Sequence, residues 1–199
     1  CTSVAACGGG GSDSGESAAS AAPSPVASPS APAPAPSPSP APSPAPAPTP
    51  APAPASAGST CGIADFQATI LTRINQLRAA GANCHGGGTF GPAAALTWSA
   101  ALTQSAEAHS QDMVANNFFS HTGSNGSSLS ARVNATGYAW QRLGENIAAG
   151  YPTIDAVMTG WMNSDGHCAN IMNPDFNQVG LVCVPGTSTT TYNSYWTMD

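Results

Sequence analysis

From residue 23 to residue 54 the chain is proline alternating with alanine or serine, with few exceptions. Proline fixes φ and carries no amide proton. At this density neither helix nor sheet can propagate, and extended polyproline II is favoured. Together with the Gly/Ser-rich run before it, the stretch 8–60 holds almost nothing apolar to bury. That leaves 61–199, about 140 residues, for one domain with its own core. At ~3.1 Å per residue the proline tract reaches roughly 100 Å as a semi-rigid, disordered stalk. A ligand for an SH3-type module is the rival reading, and the tract has no Arg or Lys to orient such docking.

Charge narrows the partners. Lys and Arg together number 4, all of them Arg, against 10 Asp and Glu, for a net charge of -6. A chain without a basic patch is not built for a phosphate backbone, which excludes nucleic acid as a partner. It is equally unsuited to an anionic lipid surface through a polybasic segment. No stretch approaches the ~20 apolar residues that span a bilayer. Any membrane contact is therefore expected through a lipid anchor alone. Val4-Ala5-Ala6-Cys7 followed by four glycines resembles the cleavage site of a bacterial lipoprotein signal peptide. In that reading residues 1–7 are the remnant of the signal, Cys7 is lipidated, and the basic and apolar regions precede residue 1. The expected location is extracytoplasmic, as an envelope lipoprotein or a secreted protein.

Of the six cysteines, Cys61, Cys84, Cys168 and Cys183 fall in the folded part. No Cys-x-x-Cys pair suggests a zinc ribbon or a redox motif. Four spaced cysteines beside an export-like start point to two disulfides. Three connectivities are open. Cys61–Cys84 with Cys168–Cys183 is the expected pairing, because each pair brackets one local unit.

Apolar spacing then lays out the elements. Ile63, Phe66, Ile70, Ile74 and Leu77 predict a helix over 63–80, stopped by Gly81. Residues 84–96 read as a loop. Leu102, Ala106, His109 and Met113 predict a helix over 99–117. Ser127-Ser128 cap a short helix that ends before Gly137, and Thr153 caps another that carries Ile154, Val157, Met158, Trp161 and Met162. Residues 144–149 read as a strand. The runs 179–184 and 190–198 form an antiparallel pair about Pro185-Gly186-Thr187. Helices first and a hairpin last make an α+β domain.

Three polar residues carry the chemistry: His121, Glu145 and His167. Two imidazoles and a carboxylate suit a divalent ion such as zinc. They suit acid/base work equally. Their spacing is not that of a local metal motif, so each could instead be a satisfied structural residue. His109 lies on an apolar helix face and reads as a core or rim histidine. His85 precedes a glycine run and reads as exposed. Ser164 near His167 lacks the Gly-x-Ser-x-Gly elbow of a hydrolase nucleophile. Asn146 and Asn170 read as loop-holding residues.

The motif order from Leu96-Thr97-Trp98 to Trp196 resembles the CAP superfamily, the SCP/TAPS or pathogenesis-related-1-like group, in its bacterial branch of SCP-like extracellular lipoproteins. The matching residues are Phe118-Phe119-Ser120-His121, Gly144-Glu145-Asn146-Ile147-Ala148 and Trp161-Met162-Asn163-Ser164-Asp165-Gly166-His167. Asn170-Ile171-Met172-Asn173-Pro174, Val179-Gly180 and Tyr195-Trp196 follow in order. The resemblance implies a three-layer α-β-α sandwich with a central cleft that in many members holds two His and two Glu. Here the histidines would be His121 and His167, and one glutamate Glu145. The second acidic position falls at Ser164 or Asn163, so one carboxylate is missing and metal affinity should be weaker.

The expected function is an envelope-anchored or secreted protein whose His/Glu cleft binds a small molecule, lipid, glycan or peptide, with or without a divalent metal held by His121 and His167. The ligand-contacting set is His121, Glu145, His167, Asn146 and Ser164. The alternative is a metal- or His-assisted hydrolase of peptidase type, in which His121 and His167 activate water and Glu145 orients one of them or acts as base.

Overall fold

The computed structural model describes residues 59–199. The expected lipidation site Cys7 and the proline tract lie outside the described residues. Ser59 and Thr60, read from sequence as the end of the stalk, belong to the fold. Ser59 is buried, and Thr60 bridges to Cys183.

The helices are α1 (Phe66–Ala80), α2 (Ala100–Ala115), α3 (Leu129–Ala135), α4 (Ile154–Met162) and α5 (Asp165–Met172). Short strands β1 (Ala82–Asn83) and β2 (Thr89–Phe90) pair with each other, and β3 (Thr97–Trp98) runs parallel to β5 (Gln178–Val179). The main sheet is antiparallel, in the order β4 (Asn146–Ala149), β7 (Ser194–Met198), β6 (Leu181–Pro185). Strand alternation sorts the side chains of β7 to two faces. Trp196 and Met198 join the core formed with α1, α4 and α5. Tyr195 packs on Met113 of α2, and Thr197 Oγ1 meets Ser110 Oγ of the same helix at 2.7 Å. The sheet thus lies between α2 with α3 on one side and α1, α4 and α5 on the other, the α-β-α sandwich that the resemblance implied.

Caps fall where hydroxyls precede the apolar runs. Ser128 Oγ accepts from Ala131 N at 3.2 Å and Thr153 Oγ1 from Ala156 N at 3.2 Å. Each such cap satisfies an orphan amide and contributes roughly 1 kcal/mol. Helix α1 starts at Phe66 rather than Ile63, because Asp65 takes the left-handed conformation at φ 49. Helix α5 is an element that the apolar spacing did not predict. Its buried face is Cys168, Ile171 and Met172, a helical i, i+3, i+4 set masked in sequence by Gly166 and the polar Asn170. The final hairpin starts later than its apolar run. At Gly180 the chain passes so close to α2 that a Cβ would lie 2.1 Å from Thr103 N, and this breaks β5 from β6.

The expected disulfide pairing is corrected. Cys61 bonds Cys183 and Cys84 bonds Cys168, with Cα–Cα separations of 5.2 and 5.4 Å. Cys61 and Cys84 flank the 15 residues of α1, which span roughly 22 Å at 1.5 Å per residue. A disulfide bridges ~4.4–6.8 Å between Cα atoms, so the ends of one helix cannot be joined. Cys61–Cys183 instead ties the segment before α1 to β6 of the sheet, and Cys84–Cys168 ties the loop after α1 to the neighbouring α5.

Arg78 is fully buried without a carboxylate partner among the described residues. Its guanidinium donates to Ala94 O (2.7 Å), Ile171 O (2.8 Å), Asn173 O (2.8 Å) and Phe176 O (3.0 Å). Burial lowers its pKa. Four carbonyl dipoles replace its water and fix the chain after α5 against α1.

Candidate functional site

The chain leaves α2 through Asn117, held in the left-handed region at φ 48. Asn117 Oδ1 accepts from Thr191 N at 2.8 Å and Thr191 Oγ1 at 3.1 Å. This bond ties the α2 exit to the hairpin tip. It sets Phe119 against Tyr192, ring centroids 6.0 Å apart, and Tyr192 against Tyr195 at 5.8 Å. Phe119 and Tyr192 remain exposed.

Two residues on, the His121 side chain is 58% exposed, yet its Nδ1 donates to Glu145 Oε1 at 2.7 Å. An ionised carboxylate only accepts, so this bond places the proton on Nδ1 and leaves the Nε2 lone pair outward. The other oxygen, Oε2, accepts from Arg132 Nη2 in a buried ion pair. Arg132 Nη1 donates to His121 O at 3.2 Å and Ser127 O at 3.1 Å. One guanidinium therefore fixes both the carboxylate and the backbone of the histidine that the carboxylate orients. Sequence reading missed Arg132, although Arg132 and Arg142 are the two arginines between His121 and Glu145.

Below this pair the site is buried. His109 Nε2 donates to Ser120 O at 2.9 Å and lies 4.0 Å from Glu145 Oε2. Burial lowers the His109 pKa, against an upward pull from Glu145. It is a neutral core histidine under the His121 loop. Asp199 is buried beside Glu145, and its pKa is raised to about 8 by desolvation first and by the Glu145 charge second. Ser105 Oγ and Glu145 are close enough to act on it, but neither of its oxygens makes a hydrogen bond of normal geometry.

His167 sits in the first turn of α5, half-buried, in an open depression shared with Phe119, Tyr151, Ser164 and Tyr192. Burial lowers its pKa, and repulsion between the two imidazoles when both are protonated lowers it further. Asn146 Nδ2 donates to His167 O at 3.0 Å. Asn170 Nδ2 donates to Glu145 O at 3.2 Å and Asn146 Oδ1 at 2.9 Å. Both asparagines hold the backbone of the site, as read from sequence. Of the residues read as ligand-contacting, His167 lines this depression, whereas His121, the buried Glu145 and the fully buried Asn146 do not. Ser164 does line it, whereas Asn163 is exposed and outside it. Neither position that the resemblance offered for the second acid, Ser164 or Asn163, carries a carboxylate. His85 is exposed and distant in the chain from the site.

Two disulfides place the folded chain in an oxidising, extracytoplasmic compartment. Among the described residues no helix is long and apolar enough to cross a membrane. The chain is 41% identical over 80 residues to the uncharacterized protein YkwD of Bacillus subtilis, a match covering 40% of this chain and 31% of that protein. It is 38% identical over 88 residues to the uncharacterized membrane protein YlbC of the same organism, covering 44% of this chain and 25% of the relative. The match thus spans a third or less of either relative's length. Among solved structures, an extracellular protein containing an SCP domain from Bacillus anthracis aligns at TM-score 0.53 and 29% identity, over 66% of this chain and 38% of that one. An outer surface protein of Borrelia burgdorferi shares the fold at TM-score 0.50 and 18% identity, over 66% of this chain and 87% of that one. The family model of the cysteine-rich secretory proteins, CAP, matches residues 71–199, the span that holds the sandwich, the His121–Glu145 pair and His167, and the chain belongs to that family.

Proposed function

We propose that this chain is an envelope-anchored CAP domain, tethered through lipidated Cys7 and the proline tract, whose histidine depression binds a small extracellular ligand. The observation that carries the reading is the outward Nε2 of His121. A buried carboxylate and a buried guanidinium are committed to holding an exposed imidazole in one orientation. Folding gains little from fixing an exposed ring in this way, whereas a ligand that meets the ring gains a preset acceptor. Exposed Phe119 and Tyr192 offer apolar faces in the depression that contains His167, and Ser164 adds a neutral polar contact there.

Two imidazoles also fit a weak zinc site, with the Glu145–His121 bond acting as the outer support such histidines use. Burial lowers the His167 pKa, which favours the neutral ring with a lone pair to donate. Among the described residues no three His, Cys, Asp or Glu side chains are gathered for an ion, so water would have to complete the coordination. The hydrolase reading is the weaker one. Both Glu145 oxygens are engaged, by His121 and Arg132, so Glu145 orients rather than abstracts.

Titration calorimetry with zinc on the full chain tests the metal version, with binding expected in the wild type and lost in His121→Ala and in His167→Ala. No heat in the wild type sinks it. Digestion of a peptide library with added zinc should give no cleavage, and cleavage abolished by His121→Ala would restore the hydrolase. Retention of membrane fractionation in Cys7→Ala would remove the anchor.

A further inference from the structure

Asn146 and Asn170 line a second cavity, of about 290 Å³, that includes none of His121, Glu145 and His167 in its wall. Its apolar wall comes from Leu96, Leu102, Leu143, Phe176 and Met198. Its mouth is aromatic. Tyr138 and Trp140 stand there, and Trp140 is 41% exposed. The indole is nevertheless fixed, because its Nε1 donates to Asn134 Oδ1 at 2.8 Å. An exposed ring held in place offers contact area at little further entropic cost.

The rest of the lining is polar, with Gln141, Asn177, Gln178 and the buried Asp199 beside the two asparagines. The Asn170 amide is committed to Glu145 O and Asn146 Oδ1. Its Oδ1 faces Gly144, 3.3 Å from where a Cβ would stand, and accepts no hydrogen bond from a described residue. The cation at the mouth, Arg142, is paired with Asp175 at 3.3 Å. The cavity therefore offers Asn170 Oδ1 as an acceptor without a partner, a carboxyl at Asp199 and no unpaired guanidinium, which disfavours an anionic occupant. Aromatic walls around a compact volume favour a flat ring over a long chain.

We propose that this cavity is a binding site for a neutral aromatic molecule bearing a hydrogen-bond donor, a phenol or an indole, with the ring against Phe176 and Trp140 and the donor on Asn170 Oδ1. The site is separate from the histidine depression, so it stands whether or not that depression binds zinc.

Amide and indole NMR shifts of the full chain, titrated with 4-methylphenol, test it. Saturable shifts are expected at the Trp140 indole and at the Gly144 and Phe176 amides. 4-Methylanisole, which lacks the donor, should bind at least about fivefold more weakly, the effect of one buried hydrogen bond. 4-Methylbenzoate, an anion of similar shape, should bind at least about tenfold more weakly, since no cation compensates its desolvation. Absence of saturable shifts at those positions overturns the proposal, as do shifts centred on Phe119, His121 and Tyr192. Equal affinity for the anisole overturns the bond to Asn170, and equal affinity for the benzoate overturns the neutral class.

Discussion

Arg132 and Glu145 form an ion pair with side chains only 7% and 4% exposed, and the same guanidinium holds the backbone of His121 at 3.2 Å. Removing one member of such a pair leaves the other charge buried and uncompensated. Arg132→Met is therefore expected to lose roughly 3–5 kcal/mol in urea unfolding. Arg132→Met combined with Glu145→Gln should recover part of that loss, because the stranded carboxylate is gone. Strict additivity of the two single losses would show that the pair does not act as a unit.

His121 itself should be dispensable for folding. Its side chain is 58% exposed, and its one bond goes to a carboxylate that Arg132 already holds. His121→Ala is expected to change stability by no more than ~0.5 kcal/mol, while abolishing any ligand or zinc signal at the depression. A melting temperature that falls as far as it does for Arg132→Met would make His121 a structural residue.

The corrected disulfides make a direct prediction. Non-reducing peptide mapping should recover Cys61 joined to Cys183 and Cys84 joined to Cys168, and no peptide pairing Cys61 with Cys84. The bonds close loops with sequence separations of 122 and 84 residues. Chain-entropy arguments assign each roughly 4–5 kcal/mol. Cys61→Ser with Cys183→Ser should destabilise the domain by that order in guanidinium titration. A loss below ~1 kcal/mol would mean that the layers are held by packing alone.

What could be read from the sequence follows from the range of each interaction. Caps at Ser128 and Thr153 are local, and they fall where hydroxyls precede apolar runs. His109 was legible as a core residue because the face it shares with Leu102, Ala106 and Met113 is apolar. Helix α5 was not, since Gly166 and the polar Asn170 hide a short buried face. The disulfide pairing was illegible for a different reason: which cysteines meet depends on how layers stack, and local bracketing carries no such information. Within the site, His121, Glu145 and His167 were found through their motif contexts. Arg132 and Asp199 were not, because a buried charge looks in sequence like any solvated one until its partner is placed.

Asp199 gives the pH prediction. Its folded pKa is raised to about 8 from an ordinary value of 3.8, by burial first and by Glu145 second. Between those limits the folded state keeps a proton that the unfolded chain releases. The contribution to stability is complete below about pH 3.8, declines as pH rises, and is lost above about pH 8. The amount is on the order of a few kcal/mol. Asp199→Asn mimics the protonated acid and cannot ionise, so it should remove this slope. The measurement is the difference in unfolding free energy between Asp199→Asn and wild type at several pH values, in which other titrating groups cancel. The variant should gain on the wild type steadily from about pH 5 to about pH 8. A difference that stays flat across that window would show that Asp199 is already ionised in the fold and that Arg132 neutralises two carboxylates rather than one.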